Sequence, residues 1–142
     1  MKMITTSNIE QARKQLKLEL KLEKHPIIVI AQDDEFNRKI LEYGKFDILL
    51  LHPSTQNKKP SINNILTEIA TKNKIAIGID LDEILKLEKK EKADELARLK
   101  QTIKVCRKAK TKLSLINLID RRNALSLLIS LGASSNQAKE AI

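Results

Sequence analysis

The sequence predicts an α/β fold with parallel strands. Short β-branched runs alternate along the chain with longer segments whose apolar residues recur at helical spacing. Several of the runs are apolar throughout, as strands covered on both faces are, and the connections between elements are short enough to demand same-handed crossovers. An incomplete or degenerate β/α barrel and an open doubly wound sheet both satisfy this alternation. Its length of 142 residues is that of a single barrel-like domain, 1–142.

Met3 to Thr6 is the first expected strand, and Ser7 or Asn8 can cap a helix with Ile9, Ala12, Leu16 and Leu20 on one face. That helix exposes Lys14, Lys17, Lys21 and Lys24. Pro26 to Ala31 is a second strand, followed by Gln32-Asp33-Asp34-Glu35, which places carboxylates at a helix N-terminus. Phe36, Ile40 and Leu41 face inward on that helix, and Gly44 ends it. A third strand, Phe46 to Leu51, stops at His52-Pro53, because proline removes a ladder donor and restrains the residue before it.

After a polar loop, Ser61 is the expected cap of a helix presenting Ile62, Ile65, Leu66, Ile69 and Ala70, which leads into a strand from Ile75 to Asp80. Leu81 to Lys92 is a charged connector with room for one short turn of helix, and a long helix over Ala93 to Ala109 buries Leu96, Leu99, Ile103 and Cys106. Leu113 to Leu118 is the last strand. Arg121 to Leu131 is a helix ended by Gly132, and Ser134 with Gln137 forms a capping box for Ser135 to Ile142.

Composition narrows the function. The 27 Lys plus Arg outweigh 18 Asp plus Glu, for a net charge of +9, which favours a polyanion as partner and nucleic acid first among them. Aromatic residues number only three, Phe36, Phe46 and Tyr43, so recognition by stacking unpaired bases is disfavoured and backbone or shape contacts are expected. One cysteine, Cys106, allows no internal disulfide and no multi-cysteine zinc site, which fits a reducing, cytoplasmic address. No apolar run approaches the roughly 20 residues of a membrane span, and no membrane partner is expected.

Three basic groups are candidate phosphate contacts. Lys58 and Lys59 precede Pro60 in a loop that proline stiffens, though such a loop is equally a solvated one. Arg121 and Arg122 open a helix whose amides and dipole already favour anions; as structure alone they flank the cap Asp120. Lys100, Lys104, Arg107 and Lys108 recur at spacings of three and four, which makes one basic stripe or simply the wet face of an amphipathic helix.

A hydrolase-like metal site is the alternative, because barrel strand ends converge and here they carry Gln32, Asp33, His52, Asp80, Asp82, Asn117 and Asp120. Of these His52, Asp80 and Asp82 are the metal-ligand candidates, while Asp33 and Asp120 are better explained as helix caps. His25 precedes its strand and adds no second histidine to those ends. Cys106 is expected to be a small buried apolar residue rather than a nucleophile. A third class is a protein-docking module, with its partner surface on the helix Ser61 to Lys72 and on the terminal helix.

Three stretches in order resemble one family. They are Phe46-Asp-Ile-Leu-Leu-Leu-His52 with Lys58-Lys59-Pro60-Ser-Ile62-Asn63 and Ile75-Ala-Ile-Gly-Ile-Asp-Leu81; the helix end Val105-Cys-Arg-Lys-Ala109; and Ala124 to Ser134 with its continuation Asn136-Gln-Ala138-Lys139-Glu-Ala141-Ile142. Together they are similar to the barrel subunit of archaeal and eukaryotic ribonuclease P, protein component three or the thirty-kilodalton protein. Gly78 stands where that family carries a larger, often acidic residue.

The resemblance implies a TIM-barrel-like fold and an accessory, non-catalytic subunit supporting a catalytic RNA in 5′ maturation of precursor tRNA. It implies ribonuclease P RNA and a small α/β subunit as partners, with precursor tRNA as the substrate of the whole particle. No cofactor is expected on the chain itself, and Mg2+ is expected to serve the RNA.

Overall fold

The computed structural model describes residues 2–23, 25–51, 62–117 and 120–142. Lys58, Lys59, His52 and Ser61 lie outside the described residues, as do Lys24 and Leu118. Five strands alternate with helices: β1 (Lys2–Ile4), α1 (Ile9–Lys21), β2 (Ile27–Ile30), α2 (Asp34–Tyr43), β3 (Ile48–Leu51), α3 (Asn64–Lys72) and β4 (Ala76–Ile79). There follow α4 (Leu81–Leu85), α5 (Lys89–Ala109), β5 (Leu113–Leu115), α6 (Arg121–Ser130) and α7 (Ser135–Ala141).

All strand pairs are parallel, and each strand pairs only with its neighbours in sequence, in the order β1-β2-β3-β4-β5. A parallel sheet in sequential order puts every crossover on the same side. Two clusters of buried side chains record that asymmetry. The larger unites Val29, Leu49, Ile77 and Leu113 on one sheet face with Leu16, Ile40, Leu66, Ile103, Leu128 and Ala138 from the helices. The smaller contains Ile28, Ile48, Leu50, Ala76 and Ile116, with Met3 and Ile30 against them, and no helical residue.

Among the described residues helices therefore cover one face only, which is the barrel-type arrangement; a doubly wound sheet would carry them on both. Among the described residues the sheet is open, with β1 and β5 at its edges. The uncovered face is nonetheless dry: Ile28 and Leu50 are fully buried. Their side chains shield one another on that face, each such burial contributing about 1.5–3 kcal/mol.

Helix ends follow the chemistry of their residues. Side chains of Asn8, Asp33, Asp80, Asp120 and Ser134 each accept from an amide in the first turn of the following helix, and Ser134 with Gln137 closes the capping box. Gly44 leaves α2 at φ 74°, the left-handed conformation that glycine adopts without strain.

Two expectations are corrected. The cap of α3 is Asn63, whose side chain accepts from Leu66 N–H; this phase turns Leu66, Thr67 and Ala70 inward and leaves Ile65 exposed. Helix α5 starts at Lys89, a turn earlier than its apolar spacing suggests, and Glu88 makes no side-chain cap. Phe36 and Phe46 are core residues, while Tyr43 is half-buried with the Arg13 guanidinium 5.8 Å and the Lys45 ammonium 5.9 Å from its ring centre.

Candidate nucleic-acid interface

Helix α5 divides lengthwise. Leu99, Thr102, Ile103, Val105 and Cys106 are buried, and Lys100, Lys104, Arg107 and Lys108 are exposed on the other side. Lys100, Lys104 and Lys108 follow at four-residue intervals, about 6 Å apart along the axis at the helical rise. None of the three is in an ion pair among the described residues. Like charges at this spacing repel one another, and an extended anion lying along the row would relieve that repulsion.

Several acidic side chains are paired elsewhere. Glu10 pairs with Arg13, Glu35 with Lys39, Glu42 with Arg38 and Glu83 with Lys86, all within one helical turn. Near the start of α5, Glu95 pairs with Arg98; burial of its carboxyl outweighs that neighbour and holds it above the usual carboxylate range. Arg107 departs from the row in one respect, since its Nη1 donates to the Gly132 carbonyl at 3.2 Å and so ties α5 to the turn between α6 and α7.

Arg121 and Arg122 are exposed at the start of α6. Gly132 lies just past the other end of that ten-residue helix, so Arg107, which is bonded there, stands roughly 15 Å along the α6 axis from the arginine pair. The carboxylate of Asp120 already occupies the anion position at this helix end, accepting from Asn123 N–H at 3.1 Å and Asn123 Nδ2 at 2.7 Å. A phosphate would meet the arginine side chains rather than the helix amides.

Of the described polar residues at the strand ends, Asp80, Gln32 and Asn117 are committed to structure. Asp80 is buried, accepts from Glu83 N–H and takes a hydrogen bond from Asn117 Nδ2 at 3.3 Å. Gln32 and Asn37 exchange hydrogen bonds at 2.7 and 3.2 Å, and Gln32 Nε2 donates to the Thr5 carbonyl. Asp82 is half-buried beside Asp80 in sequence, with one shielded oxygen that has no hydrogen-bond partner. Among the described residues no three His, Cys, Asp or Glu side chains are grouped to hold a metal ion. Cys106 is enclosed by the core, and burial pushes its thiol up to about 12.

Sequence spacing does not reveal a further basic cluster. Lys74, Lys110 and Lys112 meet at the end of the sheet where β4 and β5 begin, around a cavity of about 380 Å3. They belong to two turns and a strand approach, so no helical period links them. The only trace in the sequence is a lysine directly before each of two strands, in Lys74-Ile75 and Lys112-Leu113.

Five parallel strands in sequential order, helices on one face and exposed basic side chains define a basic α/β protein of barrel type. The same fold occurs in a chain of the cryo-EM structure of archaeal ribonuclease P with mature tRNA, at a TM-score of 0.83 and 19% sequence identity. The likeness covers 98% of this chain and 62% of that one, so this chain spans less than two thirds of its length. No protein-family model matches the sequence, and no curated protein matches it.

Proposed function

We propose that this chain is a non-catalytic protein subunit of a ribonuclease P-type ribonucleoprotein, binding the catalytic RNA through backbone phosphates and supporting the 5′ maturation of precursor tRNA. The observation that carries the proposal is the shared fold over nearly the whole chain with a component of an archaeal ribonuclease P bound to tRNA. The unpaired row Lys100, Lys104 and Lys108 gives that fold a surface suited to an RNA backbone. The metal ions of the cleavage reaction, Mg2+ foremost, belong in this reading to the RNA. A small α/β subunit is the protein partner, for which exposed Ile65 on α3 supplies an apolar contact. The reading places the chain in the cytoplasm; among the described residues no helix is long and apolar enough to cross a membrane.

Reconstitution tests the proposal. Precursor tRNA cleavage by the cognate RNA and its other protein subunits is measured across a magnesium series, with and without this chain. Faster cleavage, or a lower magnesium requirement, is the expected result. Cleavage that is identical in both preparations overturns it. In the same assay, changing Lys100, Lys104 and Lys108 together to Gln is expected to weaken assembly and flatten its dependence on salt.

A further inference from the structure

Helices α3 and α5 end side by side, each handing over to the next strand through a left-handed residue. At the equivalent position after α2 the chain uses Gly44, and Gly132 follows α6, but after α3 and α5 it uses Lys74 at φ 57° and Lys110 at φ 59°. Lysine bears a steric penalty there that glycine does not. Only Glu23 and Asn117 share this conformation among the other described non-glycine residues.

The left-handed residues close both helices through backbone hydrogen bonds, and those caps make no use of the lysine side chains. The last carbonyls are satisfied by backbone amides: Thr111 N–H donates to Cys106 O and Ile75 N–H to Ala70 O, both at 2.8 Å. The two turns are also held at a fixed separation. Thr71 Oγ1 donates to the Ala109 carbonyl at 3.1 Å and lies 2.7 Å from Thr111 Oγ1, and Thr111 Oγ1 donates to the Thr67 carbonyl at 3.0 Å. Strand pairing adds a third lysine, since Ile77 N–H donates to the Lys112 carbonyl at 2.8 Å and thereby sets Lys112 beside β4.

These three lysines line one cavity of about 380 Å3. None of them is in an ion pair among the described residues, and the half-buried Ser114 hydroxyl that also lines it makes no hydrogen bond there. The one carboxylate among the lining residues, Asp47, has one oxygen engaged: its Oδ2 accepts from Ile27 N–H at 2.7 Å and lies 3.0 Å from His25 Nδ1. Three lysines and a serine lining a space larger than one tetrahedral oxyanion suit a phosphodiester, whose oxygens could take charge-assisted hydrogen bonds from the lysines.

We propose that the cavity between Lys74, Lys110 and Lys112 is a phosphate-binding site that takes a backbone phosphodiester of RNA. It rests on the reading of the chain as an RNA-binding subunit and adds a contact point at the end of the sheet opposite Arg121 and Arg122.

Two arms test it on the full chain. Inorganic phosphate is titrated while backbone amide resonances are followed; saturable shifts at Lys74, Lys110, Lys112 and Ser114 are expected, and shifts that are absent or scattered over the surface overturn the site. A tRNA transcript is then bound by the wild type and by a Lys74→Gly, Lys110→Gly, Lys112→Gln variant across a salt series. The variant is expected to bind about tenfold more weakly, with a salt slope shallower by roughly one. Because glycine suits both turns, its thermal midpoint is expected to rise, which separates lost binding from lost folding. Equal binding by both proteins overturns the site and leaves the RNA reading standing. A wild type that binds no tRNA overturns the RNA reading, and with it the assignment of the cavity to RNA.

Discussion

Cγ2 of Ile48 lies 2.5 Å from where a Cβ on Gly78 would stand. Ile48 on β3 pairs in register with Ala76, yet its side chain leans along the sheet into the space that Gly78, opposite Leu50, leaves empty. A larger residue at this position would displace Ile48 from its place on the sheet. Gly78→Ala is therefore expected to destabilise the protein by about 1–3 kcal/mol in urea unfolding. Adding Ile48→Ala should make the second change cost less than it does alone; strict additivity of the two would show that the clash is not the cause.

Asp80 caps α4 with one carboxylate oxygen and receives Asn117 with the other. Asp80→Ala should lower stability by about 1–2 kcal/mol, through the lost cap and the amide left without its acceptor. A chelator is expected to leave the wild-type melting midpoint unchanged. A fall seen in the wild type and not in the variant would restore Asp80 as a metal ligand.

The raised thiol of Cys106 makes two outcomes checkable. A thiol reagent at pH 8 should fail to modify the native protein and should react once denaturant is added. The unfolded thiol ionises near 8.5 and the folded one at about 12, so between these values the unfolded state sheds its proton first and stability falls as pH rises. Cys106→Ala should remove up to ~1.4 kcal/mol per pH unit of that alkaline loss. Identical alkaline unfolding curves would rule the group out as a source.

Thr111 is buried and joins α3 to the start of β5 through Thr67 and Thr71. Thr111→Val keeps the shape and removes both hydrogen bonds, with an expected loss of about 1–2 kcal/mol. A double-mutant cycle with Thr71→Ala should give a coupling of at least about 0.5 kcal/mol. No coupling would mean that the hydroxyl pair does not set the spacing of the two turns.

Much of this architecture is legible in the residues. Val29, Leu49 and Ile77 fall in apolar runs that announce strands, and Asn8, Asp33, Asp120 and the Ser134–Gln137 pair announce helix starts, because capping is a local interaction of a few consecutive residues. The cap of α3 escapes that logic: Ser61 and Asn63 are both good caps, and only packing decides that Ile65 faces out. The start of α5 at Lys89 escapes it too, since Lys89 to Lys92 carry no apolar period. In the candidate interface the α5 row is readable from its spacing. The grouping of Lys74 with Lys110 and Lys112 is not, since it depends on which strands become neighbours.

The strand order has a consequence for how such a chain can evolve and fold. With each strand hydrogen-bonded only to the one before and the one after it in sequence, no segment is threaded between two others. The protein can be lengthened or trimmed by whole strand-and-helix units at either edge while the remaining units keep their neighbours, much as courses are added to a wall. It can also assemble progressively, each new strand closing only the loop of its own helix, so that no pairing waits on a distant part of the chain.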